Sequence, residues 1–130
     1  MLDGVTVLIV EDEALVAFEI AESVILDGGQ VLGPVASVRE ALTLVETAAF
    51  DAAILDSNLV DRNITPVLAI LLARGTPLVL HTGLGLPAEM SAYESMVSVL
   101  RKPASPDALL ASLSSQLASQ HPANAATPTR

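Results

Sequence analysis

Five short apolar runs rich in β-branched residues recur along the chain, alternating with longer segments of helical period, and that rhythm restricts the fold more than any other feature. Val5–Val10, Gln30–Pro34, Ala52–Leu55, Leu78–His81 and Val97–Leu100 read as strands. Runs without polar alternation are what strands covered on both faces require, so the pattern predicts βα units wound onto both sides of a parallel sheet. The intervening segments carry helix signals of their own. From about Glu13 to Asp27, the residues Ala17, Ile20, Ala21 and Val24 share one face, and Gly28-Gly29 supplies a stop. Ser37-Val38-Arg39-Glu40 is a capping box that opens a second helix, with Val38, Ala41, Leu42 and Val45 as its core stripe. Thr65 and Pro66 are expected as N-cap and first residue of a third, ended by Gly75. A fourth is expected near Ala88 to Met96, and a fifth opened by Ser105-Pro106 and closing near Ser119.

Size and charge narrow the function classes. At 130 residues the chain accommodates one domain, with a core large enough to fold unaided. That domain is placed at 1–119 and a disordered tail at 120–130, because HPANAATPTR has no apolar face to bury. Fifteen acidic against six basic residues, a net charge of -9, oppose binding to DNA, RNA or an anionic membrane surface. The absence of cysteine excludes disulfides and thiolate zinc sites. MLDGVTVLIVED turns acidic too early for a signal peptide, and no apolar run nears the ~20 residues of a membrane span, which implies a soluble, cytoplasmic protein.

Chemistry is carried by residues at the ends of the strands. Glu11 and Asp12 follow the first, Asp56 the third, Thr82 the fourth, and Lys102-Pro103 the fifth. At the carboxyl edge of an open α/β sheet such positions converge on one crevice. Two carboxylates about 5 Å apart at an effective dielectric near 20 repel by about 3 kcal/mol, so three together require a counter-ion. A hard divalent cation meets that need, and magnesium suits oxygen ligands while leaving positions open for the oxygens of a phosphoryl donor. The plainer account of Glu11 and Asp12 is an acidic first turn favoured by the helix dipole. Asp56 argues against it, because it ends an apolar strand and opens a loop, where a merely solubilising charge has no reason to be preferred.

VTVLIVEDEALVA, AAILDSNL, LVLHTG and VLRKP, in that order and spacing, resemble the receiver domain of two-component response regulators over about residues 4 to 119. The resemblance implies a flavodoxin-like (βα)5 fold, a doubly wound parallel sheet with strand order 2-1-3-4-5. It also implies that Asp56 accepts a phosphoryl group from a phosphohistidine on a sensor histidine kinase or histidine phosphotransfer protein, giving an acyl phosphate in a phosphorelay. By the same resemblance Asp12 and Asp56 ligate magnesium, with manganese as a substitute. Glu11 acts directly or through water, and the backbone carbonyl of Asn58 completes the protein ligands. Lys102 and the Thr82 hydroxyl face the phosphoryl oxygens, where positive charge and a donor placed beforehand stabilise the transfer. Gly83 leaves room for the group to enter. The implied protein is a single-domain signalling module and not an enzyme. It acts through phosphorylation-dependent contacts with a downstream protein target, and weak dimerisation is compatible with that role.

Several positions depart from the family pattern. Val99 stands three residues before the lysine, where the family usually carries an aromatic that reports phosphorylation, and Tyr93 reads as a packing tyrosine and not a substitute for it. Val60-Asp61-Arg62-Asn63 replaces a turn that more often contains Pro and Gly. His81 precedes Thr82 on a strand, within reach of the site, but is read as a hydrogen-bonded core residue and not a metal ligand, since no second histidine lies nearby in sequence. Leu84 and Leu86, in the Gly83 to Pro87 loop, offer an apolar contact surface. Gly83-Leu84-Gly85 lacks the third glycine of a dinucleotide loop, and neither a Gly-Lys-Ser/Thr loop nor a Gly-x-Ser-x-Gly elbow occurs. Two alternatives stand beside the receiver reading. One is a degenerate receiver acting by constitutive protein contacts, which Val99 favours. The other is a small aspartyl-phosphate phosphatase, which wants a second acid two residues after the nucleophile, where Asn58 stands.

Overall fold

A computed structural model describes residues 2–120. Its elements run β1 (Thr6–Val10), α1 (Ala14–Leu26), β2 (Gln30–Val35), α2 (Val38–Thr47), β3 (Ala52–Asp56), α3 (Thr65–Arg74), β4 (Leu78–Thr82), a 3-10 helix (Ala88–Met96), β5 (Ser98–Arg101) and α4 (Pro106–Gln120). All five strands pair in parallel in the order β2-β1-β3-β4-β5, the doubly wound arrangement expected from the sequence. The expected boundaries shift by a residue or so; β3 and β4 extend by one to include Asp56 and Thr82 themselves, and β5 starts one residue late. Most of the expected tail lies outside the described residues.

Alternation along the strands builds two apolar layers. Leu8, Val10, Ala53, Leu55, Leu78 and Leu80 pack under α2 and α3 against Val38, Ala41, Val45, Leu68 and Leu71. Val7, Ile9, Ile54 and Val79 pack on the other face against Ile20, Val24, Leu109 and Leu113. Each fully buried Leu or Ile contributes roughly 1.5–3 kcal/mol relative to exposure, so these layers carry the fold. The same alternation sends the last two residues of β4 to opposite sides of the sheet, His81 toward α1 and α4 and Thr82 toward α3.

Helix ends explain what fits and what does not. The Ser37 hydroxyl accepts from the Glu40 N–H at 3.1 Å, and the Glu40 carboxylate accepts from the Ala36 N–H and the Ser37 hydroxyl, so the capping box forms with its return bond one residue early. Asp61 adds a cap from a distant loop: its carboxylate accepts from the N–H groups of Val38 and Arg39 at 2.9 and 3.1 Å. Thr65 is not the N-cap of α3 but its first residue. Asn63 does the capping, its Oδ1 accepting from the Thr65 N–H at 3.0 Å in an Asx turn, while the Thr65 hydroxyl is buried without a partner. Gly75 stops α3 in the left-handed region at φ 71°. At Ala88–Met96 the expected helix is a tight 3-10 helix. Only Met90 is buried there and no side chain caps the start, so the segment has no apolar stripe that would reward the α-helical period. Among the described residues no helix is long and apolar enough to cross a membrane.

One irregularity positions the site. Between Leu32 and Val35 the β1–β2 register shifts, with Gly33 at φ 97°, where a Cβ would meet Ile9 O and Val35 N at 3.0 Å. The shift allows the Val35 carbonyl to accept from the Glu11 N–H at 2.9 Å, which anchors the backbone just past the end of β1.

Candidate functional site

β1, β3 and β5 end at one edge of the sheet and bring their terminal residues together there. Glu11, Asp12 and Asp56 each place a carboxylate oxygen within 4.8 Å of the others. Glu11 and Asp56 are buried, at 3% and 4% exposure, and Asp12 is half-buried. Neither Glu11 nor Asp12 lies in α1, which begins at Ala14, so the acidic-first-turn account does not describe them. The Lys102 Nζ reaches the cluster from β5, 3.2 Å from Asp56 Oδ2, 3.7 Å from Glu11 Oε2 and 3.3 Å from Glu13 Oε1. Asn58 opens the following loop, its N–H 3.5 Å from Asp56 Oδ1, and pairs with Asn63 across the loop.

Beside the carboxylates the fully buried Thr82 hydroxyl is held in a tight net. It lies 2.6 Å from Ser57 Oγ, accepts from the Leu84 and Gly85 N–H groups at 3.0 Å, and has the Gly85 carbonyl at 3.1 Å as an acceptor for its proton. The loop that makes these bonds exposes Leu84 at 81%, whereas Leu86 folds back against the core. Arg101 donates to the Gly83 carbonyl at 2.9 Å.

The cluster is electrostatically incomplete. Burial pushes the Glu11 carboxyl up to about 7; the Glu13 N–H and the Lys102 ammonium pull it back, and Asp56 adds to the rise. Burial, then the neighbouring Asp56 charge, also holds Asp12 above the usual carboxylate range. For Lys102 burial acts downward, yet Glu11 and Asp56 outweigh it and leave the ammonium more firmly protonated than usual. One ammonium against three converging carboxylates leaves negative charge in excess. A donor set made only of carboxylate oxygens, two of them reluctant to ionise without help, suits a hard divalent cation.

Every residue singled out from the strand ends is therefore at this edge. Two neighbours carried no sequence signal strong enough to find them. Ser57 and Glu13 are ordinary polar residues whose partners, Thr82 and Lys102, are remote in sequence. His81 is buried and hydrogen-bonded as expected, its Nε2 accepting from the Ala104 N–H at 3.3 Å, and it does reach the site, with Nδ1 4.0 Å from Glu11 Oε1. Burial and the Lys102 ammonium hold its pKa below the usual value.

No family model and no curated protein matches the chain, but solved structures do. With this sheet order and strand-end cluster, the chain belongs to the receiver domains of response regulators. It is similar to SdrG from Sphingomonas melonis at 34% identity, covering 88% of this chain and 97% of that one with a TM-score of 0.73. A CheY-like response regulator receiver domain protein from Methanospirillum hungatei matches at 25% identity over 92% of this chain and 98% of its own, with a TM-score of 0.78. The response regulator PhyR from Brucella abortus is similar at 27% identity over 98% of this chain but 54% of its own length, with a TM-score of 0.72.

Proposed function

We propose that this receiver takes up one phosphoryl group on Asp56 from a phosphohistidine of a sensor kinase or phosphotransfer protein, in a magnesium-dependent step, and signals by altered contact with a downstream protein. The observation that carries the reading is the meeting of Glu11, Asp12 and Asp56 within 4.8 Å, with Lys102 Nζ 3.2 Å from Asp56. Asp12, Asp56 and the Asn58 carbonyl would hold the cation, with Glu11 acting directly or through water. When bound, the cation offsets the charge spread over the phosphoryl oxygens during transfer. An Asp56 carboxylate oxygen attacks phosphorus as the bond to the histidine nitrogen breaks. Lys102 turns from the carboxylate it now faces to the incoming oxygens. Thr82 redirects its one hydroxyl proton from the Gly85 carbonyl or Ser57 to a phosphoryl oxygen, which removes one of the bonds that hold the Gly83 to Pro87 loop. The receiver unit is assigned to residues 1–119.

Intact-mass measurement tests the reading. With acetyl phosphate and magnesium the protein should gain one phosphoryl group, and none with chelator or after Asp56→Asn; an unchanged mass under good donor conditions would sink it. Val99, half-buried on β5 where a large switch ring is usual, favours the constitutive-contact alternative. Partner binding that is indifferent to Asp56→Asn would select that alternative.

A further inference from the structure

We propose that His81 is a positioning residue for Glu11, its Nδ1–H holding the Glu11 carboxylate from the buried side of the crevice when a divalent cation is present. This rests on the cation-dependent reading above. Among the described residues, only Thr65 Oγ1 and His81 Nδ1 are buried side-chain polar atoms without a hydrogen-bond partner. For His81 the proton can be placed. Its Nε2 accepts from the Ala104 N–H at 3.3 Å, and an accepting ring nitrogen carries no proton, so the imidazole hydrogen sits on Nδ1. That donor faces Glu11 Oε1 at 4.0 Å, too long for a hydrogen bond.

Glu11 is asymmetric in a matching way. Its Oε2 accepts from the Glu13 N–H at 3.1 Å and lies 3.7 Å from Lys102 Nζ, whereas Oε1 is the oxygen that His81 faces. A shift of about 1 Å would bring the pair to hydrogen-bond distance. Donors of this kind orient ligating carboxylates in metal sites, and losing one commonly reduces metal affinity about 10–100-fold. The ring is itself anchored at Ala104, two residues past Lys102, so His81 braces Glu11 against the β5–α4 connection.

Two substitutions separate the ring's two nitrogens. In His81→Gln the amide takes the Nε2 position and can still accept from Ala104, but nothing donates toward Glu11. In His81→Asn the amide nitrogen occupies the Nδ1 position and the Ala104 contact is lost. Manganese binding, followed by electron paramagnetic resonance on the intact chain, should weaken about 10–100-fold in His81→Gln and far less in His81→Asn, with circular dichroism verifying the folds. Equal affinity of His81→Gln and wild type, or equal losses in both variants, would overturn the assignment. Should either variant not fold, the wild-type imidazole N–H signal of His81 decides by NMR: it should shift on magnesium titration, and an unmoved signal overturns the proposal. If wild type binds manganese and accepts a phosphoryl group while His81→Gln matches it, only the role of His81 falls. If wild type binds no cation, the phosphoacceptor reading falls with it.

Discussion

On the β1–β3 side of the crevice, carboxylates crowd within 4.8 Å, and burial holds Glu11 and Asp12 above their ordinary pKa values. On the β4 side, the Thr82 hydroxyl is saturated by Ser57, Leu84 and Gly85. The first half carries more negative charge than the Lys102 ammonium offsets, and the hydroxyl of the second already has its partners. Sequences consistent at every other level tend to carry such conflicts at functional sites. The chain tolerates the conflict because the two apolar layers carry its stability. On the proposed function, ligand capture would fall to the carboxylates and resistance to premature rearrangement to the hydroxyl net.

The largest expected effect separates the halves by cation affinity. Since losing an outer-shell partner commonly costs 10–100-fold, removing a direct ligand by Asp12→Ala should lower magnesium affinity by more than about 100-fold in calorimetry. Ser57→Ala should leave it unchanged, and an equal loss in both would break the division.

Next comes pH. The folded protein holds the Glu11 proton with a pKa of about 7 against an ordinary 4.5, so the stability linked to it is full below about pH 4.5 and is lost as pH rises through 7. Asp12 acts in the same direction. His81, held below its usual pKa, contributes in the opposite direction within that window, so the readout is the difference between variants. Without cation, wild-type stability in urea denaturation should fall relative to Glu11→Gln by about 2–3 kcal/mol, and magnesium near pH 7.5 should reverse the fall. Wild-type and Glu11→Gln profiles that run parallel would mean that the carboxylates are already satisfied.

Lys102→Ala should leave cation affinity at or above the wild-type level while weakening the response to beryllofluoride about tenfold, the scale of one charge-assisted hydrogen bond. Amide exchange at residues 82–96 is the readout; protection changes confined to the loop after Asp56 would show that the hydroxyl half does not respond. Smallest is Ser57→Ala, expected to cost about 1 kcal/mol at every pH. A cost that varies with pH would place Ser57 in the carboxylate half.

Much of this was legible in the sequence because it is local. The β-branched runs gave the strands, and Asp56 stood out because it ends a strand buried along its whole length. Ser37 and Glu40 lie three residues apart, so their capping could be read directly. What escaped depends on remote partners or on a missing face. Asn63 displaced Thr65 as a cap because either residue type can fill that role and only the loop path decides. The 3-10 segment looked helical because nothing in its composition forbids a helix, while its lack of a buried stripe emerged only against α3. His81 looked like core and is core, but its distance to Glu11 depends on two strand ends meeting.

Asp61 lies five residues beyond Asp56, yet its carboxylate helps to cap α2, a helix that precedes β3 in the chain. The loop is therefore not a detachable cassette. An engineer who replaced residues 57–63 with the commoner Pro- and Gly-containing turn would also strip α2 of one of its two side-chain caps, leaving the Ser37–Glu40 box alone to hold its first turn. Transplants between receivers of this type should keep Asp61 wherever the first turn of α2 offers it two free backbone N–H groups, treating two distant stretches of sequence as one heritable part.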